Sequence, residues 1–219
     1  MLEFKLKDRT LKLPERLTLN QLKGILKWNI EDENNWSKII SIVLDYDLTL
    51  TKEQQEVVIS FIVVMLNMEK ETTIKLNELT FGEFVDMEVY LTNYIQNIDK
   101  IVLILNPDIK WADEAIYVIN KWKVWREWLF KQYKGLFSND NDGDDTNHSP
   151  TKSHLQVAKN WYKIIVELSG DDILKIDAIT DQPLIKTLNF MAYQKEKALI
   201  LQMETRKRNK QNEISRNHK

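Results

Sequence analysis

A mainly α fold is what this sequence predicts, with a small N-terminal β-hairpin and a helical hairpin at the C-terminal end. Three observations point there. Glycine and proline are scarce, five and four in 219 residues, so few positions interrupt a helix. Apolar residues recur at helical spacing along most of the chain. Hydroxyl residues stand three positions ahead of Gln or Glu at several candidate helix starts, the spacing at which side chain and backbone cap each other.

The elements follow in order. Leu2, Phe4 and Leu6 alternate with charged residues, and Leu11 and Leu13 repeat the pattern beyond Lys7-Asp8-Arg9-Thr10, as in a hairpin ended by Pro14. Thr18 and Gln21 form a capping box that opens a short helix reaching Trp28. A second helix covers 35–44, with Trp36, Ile39, Ile40 and Val43 on one face. Thr51 and Gln54 start a third helix, running through Met68, whose apolar run 57–66 reads as buried. That run has ten residues against the ~20 needed to span a bilayer, so a membrane-free protein is expected. Residues 71–76 are β-branched and read as an extended strand beside the hairpin.

The stretch LTFGEFVDMEVYLTN (79–93) carries carboxylates at Glu83 and Asp86. Thr80 and Glu83 again have capping-box spacing, which gives Glu83 a structural task and sends Asp86 to solvent one turn on. A helix over 95–105 ends at Asn106-Pro107-Asp108. Residues 111–137 form the most aromatic segment, and residues 138–152 are polar with four aspartates. A helix over 154–169 stops at Gly170, and 171–179 is a short helix or turn. Asp181 caps the last helix, Pro183 lies in its first turn, and the helix runs to about Lys210. The expected organisation is therefore a hairpin-plus-helix part (1–137), an acidic linker (138–152), and a C-terminal helical hairpin with a basic tail (153–219).

Composition and motif spacing assign no catalytic, cofactor or metal residue. No cysteine is present, which removes thiolate chemistry and disulfides. The five glycines stand apart, so no phosphate-binding loop forms. His148, His154 and His218 lack metal-ligand spacing. Asp140-Asn141-Asp142-Gly143-Asp144 invites a calcium loop, but with Gly143 at the sixth position the first and twelfth fall on Ser138 and Ser149. The enzyme class is accordingly not expected.

Two features remain. Trp111, Trp122, Trp125, Arg126, Trp128 and Tyr133 have the composition of an interface hot spot, and serve either a core alone or a core plus an oligomeric interface. Arg206, Lys207, Arg208, Lys210 and Arg216 belong to a tail of six basic residues and one acidic residue. It is either a solvated helix end or a weak contact for nucleic acid or an acidic partner.

Two stretches resemble small morphogenesis proteins of tailed bacteriophages. LTFGEFVDMEVYLTNYIQNIDKIVLILNPDI (79–109) has their short helix followed by an Ile/Leu-rich helix that ends before a proline. WYKIIVELSGDDILKIDAITDQPLIKTLNFMAYQKEKA (161–198) is similar to their C-terminal half. The resemblance implies a homo-oligomeric virion component contacting other phage structural proteins, either a neck or ring protein of the crAss-like type or a tail part. The alternative it implies is a soluble tail assembly chaperone that binds the tape-measure protein. Its location would be the virion or the host cytoplasm. A DNA-binding accessory protein acting through the basic tail is a third possibility. The matching positions are packing positions, so the resemblance transfers no functional residue.

Overall fold

The structure is a computed structural model that describes residues 2–5, 10–45, 48–137 and 154–217. Strands β1 (Leu2–Lys5) and β2 (Thr10–Leu13) pair antiparallel, Leu2 opposite Leu13 and Phe4 opposite Leu11. Leu11 and Leu13 of β2 point into the core, as alternation requires. Helices joined by turns and irregular connections make up the rest of the described chain. It comprises α1 (Leu19–Ile25), α2 (Trp36–Leu44), α3 (Lys52–Leu66), α4 (Phe81–Leu91), α5 (Tyr94–Leu105), α6 (Ala112–Gln132), α7 (Lys134–Phe137), α8 (His154–Ser169), α9 (Ile176–Thr180) and α10 (Leu184–Asn217). The mainly α fold is as expected.

Local capping sets three of these helix starts. At α1, α3 and α4 the threonines Thr18, Thr51 and Thr80 each accept from the amide three residues on, and the Gln or Glu there accepts the threonine's own amide. At α4 both bonds are short: Glu83 N–H to Thr80 Oγ1 is 3.1 Å, and Thr80 N–H to Glu83 Oε2 is 2.8 Å. The stop of α8 is equally local. Gly170 adopts φ +65°, and the amide of Asp171 reaches back to the carbonyl of Val166, so the last carbonyls of α8 are satisfied.

Helix α4 is the centre of the fold. It packs on α5, α8, α9 and the start of α10, and its Phe84 meets Trp122 of α6 edge-on at 6.0 Å. Phe81 and Phe84 both contact Trp161 of α8, at 6.1 and 5.5 Å between ring centroids. Backbone bonds reinforce this junction: Phe81 N–H donates to Gln182 O, Leu184 N–H donates to Leu79 O, and Thr80 bridges Pro183. At Gly82 the backbone of α4 comes so close to α9 that an added Cβ would lie 3.0 Å from Thr180 Cβ and 3.2 Å from its carbonyl oxygen. Buried residues from 11 to 188 therefore form one core, and Trp161, Ile165, Leu184 and Leu188 join it from beyond the 138–152 segment. That segment itself lies outside the described residues, as do His148 and the hairpin turn.

Several expectations require correction. Residues 71–76 form no strand: 67–75 is irregular, Lys75 N–H donates to Leu105 O, and Leu76–Glu78 is a single 3₁₀ turn. The position is occupied because Asn106, itself buried, donates to Thr73 O at 3.0 Å and holds the segment against the end of α5. The run 57–66 is not enclosed all round. Val58, Ile59, Ile62 and Met65 are buried, while Val57, Val63 and Val64 are exposed, because a run apolar on every side meets a core on only one. Asp181 closes α9 rather than capping α10, whose first turn begins with Thr187 N–H donating to Pro183 O. Helix α10 also continues past Lys210 to Asn217.

Candidate protein-contact surfaces

Helix geometry divides the tryptophans of α6. Each three-residue step falls about 60° short of a full turn, so Trp122, Trp125 and Trp128 wind around the helix rather than line one face. Trp122 is 0% exposed, Trp125 is half-buried, and Trp128 is 49% exposed. The rings stay in register along this path, with centroids 5.4 Å apart from Trp122 to Trp125 and 6.4 Å from Trp125 to Trp128. The buried face of α6 is instead Ala112, Ala115, Val118, Ile119, Trp122 and Leu129. The Trp122 Nε1–H is enclosed without a hydrogen-bond partner.

Arg126 is engaged within the chain. Its Nε and Nη2 donate to the two carboxylate oxygens of Glu88 at 2.5 and 2.7 Å, and its guanidinium lies 4.3 Å from the Phe130 ring centroid. Glu88, on α4, is only 8% exposed. The sequence gives no sign of this pairing, because the two residues are 38 apart. Tyr133 is half-buried, its hydroxyl donates to Asn189 Oδ1 at 2.7 Å, and burial pushes its pKa up. Trp111 sits at the surface just before α6, with the Arg16 guanidinium 4.8 Å from its ring. Arg16 also grips the start of α6 through Asp113 (2.6 and 2.9 Å) and Glu114 (2.9 Å), and these bonds raise its pKa further. Of the six aromatic and basic positions singled out in the sequence, Trp128 and Trp111 thus reach the surface, and exposed Val124 lies one turn before Trp128.

The tail residues lie on α10. Arg206, Lys207, Arg208 and Lys210 are exposed, and Arg216 belongs to the same helix. More informative is what precedes them. Every residue from 196 to 211 is exposed, including Leu199, Ile200, Leu201 and Met203. At 1.5 Å per residue, the 22 residues from 196 to the helix end make an arm about 33 Å long. Sequence reasoning passed over this arm, although the run Ala198 to Leu201 is apolar around the whole helix and matches no single core face. The second surface it missed is the outer face of α3, where Val57 and Val64, continued by Met68 just past the helix end, recur at helical intervals and are all exposed.

An open cleft of about 1110 Å³ lies between α4 and α8, lined by Val85, Asp86, Val89, Lys159, Tyr162 and Lys163 among others. Asp86 is exposed as a residue, as expected, but the cleft walls shield its carboxyl in part from water, and that desolvation first and then the nearby Glu83 charge push its pKa up. No cluster of three His, Asp or Glu among the described residues is placed to hold a metal ion, and none of the described helices is long and apolar enough to cross a membrane. No family model, curated protein or solved structure matches this chain.

Proposed function

We propose that this protein works by contact between protein surfaces, as a homo-oligomeric structural or assembly component of a tailed bacteriophage particle. The observation that carries the contact reading is the arm of α10. A helix segment that lies mostly outside the core is marginal in water, and this one, although it borders α7 near Leu199, exposes Leu199, Ile200, Leu201 and Met203 as apolar surface available for a partner. Trp128 and Val124 on α6 add a second exposed apolar site of the residue type that dominates interface energetics. The phage assignment rests on the resemblance of 79–109 and 161–198.

Light scattering on the purified chain over a wide concentration range tests the contact reading. A mass above one chain that falls on dilution is expected, and a monomer at every concentration refutes self-association. Mass spectrometry of purified virions separates the roles, since a ring or tail component is present stoichiometrically and a chaperone for the tape-measure protein is absent.

A further inference from the structure

The charge of the chain is divided unevenly. Residues 206–219 hold six of its 31 basic residues and one of its 33 acidic ones, a net +5, which leaves −7 on residues 1–205. An arm of this sign is complementary to the body of another copy and is repelled by a second arm laid parallel to it.

On one face of the arm, Leu199, Ile200 and Met203 are followed by Arg206, Lys207 and Lys210, at helical intervals and all exposed. The outer face of α3 carries the complementary order in the opposite direction. Met68, just past its end, and its exposed Val64 and Val63 give way toward the helix start to Ser60 and Val57, then to the exposed carboxylates Glu56 and Glu53. Lys52, the cation beside them, is held by Glu33 Oε2 at 2.6 Å. Two α-helices share one rise per residue, so an antiparallel alignment preserves its register along the contact. Leu199 opposite Val64 sets Ile200 opposite Val63, Met203 opposite Ser60, Lys207 opposite Glu56 and Lys210 opposite Glu53.

We infer that the arm of one copy lies antiparallel along the exposed face of α3 of a second copy, apolar against apolar and basic end against acidic end. This inference rests on the self-association proposed above and names its partner surface. Each copy gives one arm and receives one, an arrangement that closes as a ring or as a reciprocal dimer. The apolar residues that precede the basic ones, and the acidic body behind them, favour a protein surface over nucleic acid as the occupant.

Charge reversal tests the register on the full-length chain. Lys207→Glu and Glu56→Lys alter residues exposed in the single chain, so each folds as the parent does. Each alone is expected to weaken self-association by about tenfold or more, and the two combined to recover it to within about threefold of the parent. Val64→Asp weakens it with no rescue from either charge change, and raising salt weakens the parent but not Lys207→Glu. Single reversals that associate like the parent, or a double variant with no recovery, overturn the arm-on-α3 contact while leaving self-association standing. A parent that stays monomeric overturns both. Duplex DNA binding lost in Lys207→Glu, with self-association unchanged, identifies nucleic acid as the occupant and likewise overturns the contact.

Discussion

Replacing Arg126 by methionine strands a carboxylate. Glu88 is 8% exposed and both its oxygens are taken by Arg126, so the variant leaves a buried charge without its counter-ion. Breaking a buried pair this way costs about 3–5 kcal/mol, and the one-third exposure of Arg126 places this case at the lower end, about 3 kcal/mol. Methionine keeps most of the apolar stem, so little of that figure is lost packing over Phe130. A chain of this size responds with a fall in Tm of about 6–12 °C. Glu88→Gln retains one acceptor and loses the charge, and is expected to cost less, about 1–2 kcal/mol. The double variant Glu88→Leu/Arg126→Met removes both charges and is expected within about 1 kcal/mol of the parent, because an apolar pair of similar volume needs no desolvation. Urea unfolding followed by tryptophan fluorescence gives these differences, and adding the single variant Glu88→Leu closes the double-mutant cycle that gives the coupling. A coupling energy below about 0.5 kcal/mol, or an Arg126→Met cost below about 1 kcal/mol, refutes the view that the pair is shielded from water.

Four further outcomes are expected. Trp122→Ala empties the middle of the core and costs about 3–5 kcal/mol in urea unfolding, whereas Trp122→Phe costs much less because a six-membered ring still fills most of the space, while both variants remove an indole N–H that has no partner. Gly82→Ala drives a methyl into Thr180, with a cost of about 1–3 kcal/mol by the same assay, while Gly135→Ala, whose Cβ meets nothing, is neutral or slightly stabilising. Asp86 has a raised pKa in the folded state, so the native form binds more protons than the unfolded one and stability falls as pH rises through the carboxylate range toward that raised value. Asp86→Asn is therefore expected to raise Tm at neutral pH and leave it unchanged in acid below the unfolded pKa; an equal gain at both pH values contradicts the assignment. Trp128→Ala, at an exposed site, leaves unfolding within about 0.5 kcal/mol of the parent and weakens self-association in light scattering.

What was legible in the sequence was local. Thr18, Thr51 and Thr80 announce helix starts because the cap and its partner are three residues apart, and Gly170 announces a stop because its φ of +65° disfavours a side chain. Pairings across the chain were not legible. The strand expected at 71–76 follows β propensity, but that segment is set by Asn106 reaching Thr73 from 33 residues away. Arg126 has the composition of an interface residue and is instead tied to Glu88. The tryptophan spacing of three makes a spiral that leaves the core by Trp128, so a shared composition does not tell which ring is buried. The outer face of α3 was concealed by its own apolarity, since a run hydrophobic on all sides gives no sign of which side lacks a neighbour.

The stitching of residues 79–84 to Trp161, Gln182 and Leu184 has an implication for handling the molecule. Neither piece left by severing the chain within 138–152 would own a finished interior: the first would lack the indole that closes over Phe81 and Phe84, the second a floor for Leu184 and Leu188. Co-expressed, the two halves should find each other and behave as a single body, which makes that stretch a place to insert a tag or a reporter without disturbing either the spiral of indoles or the protruding rod.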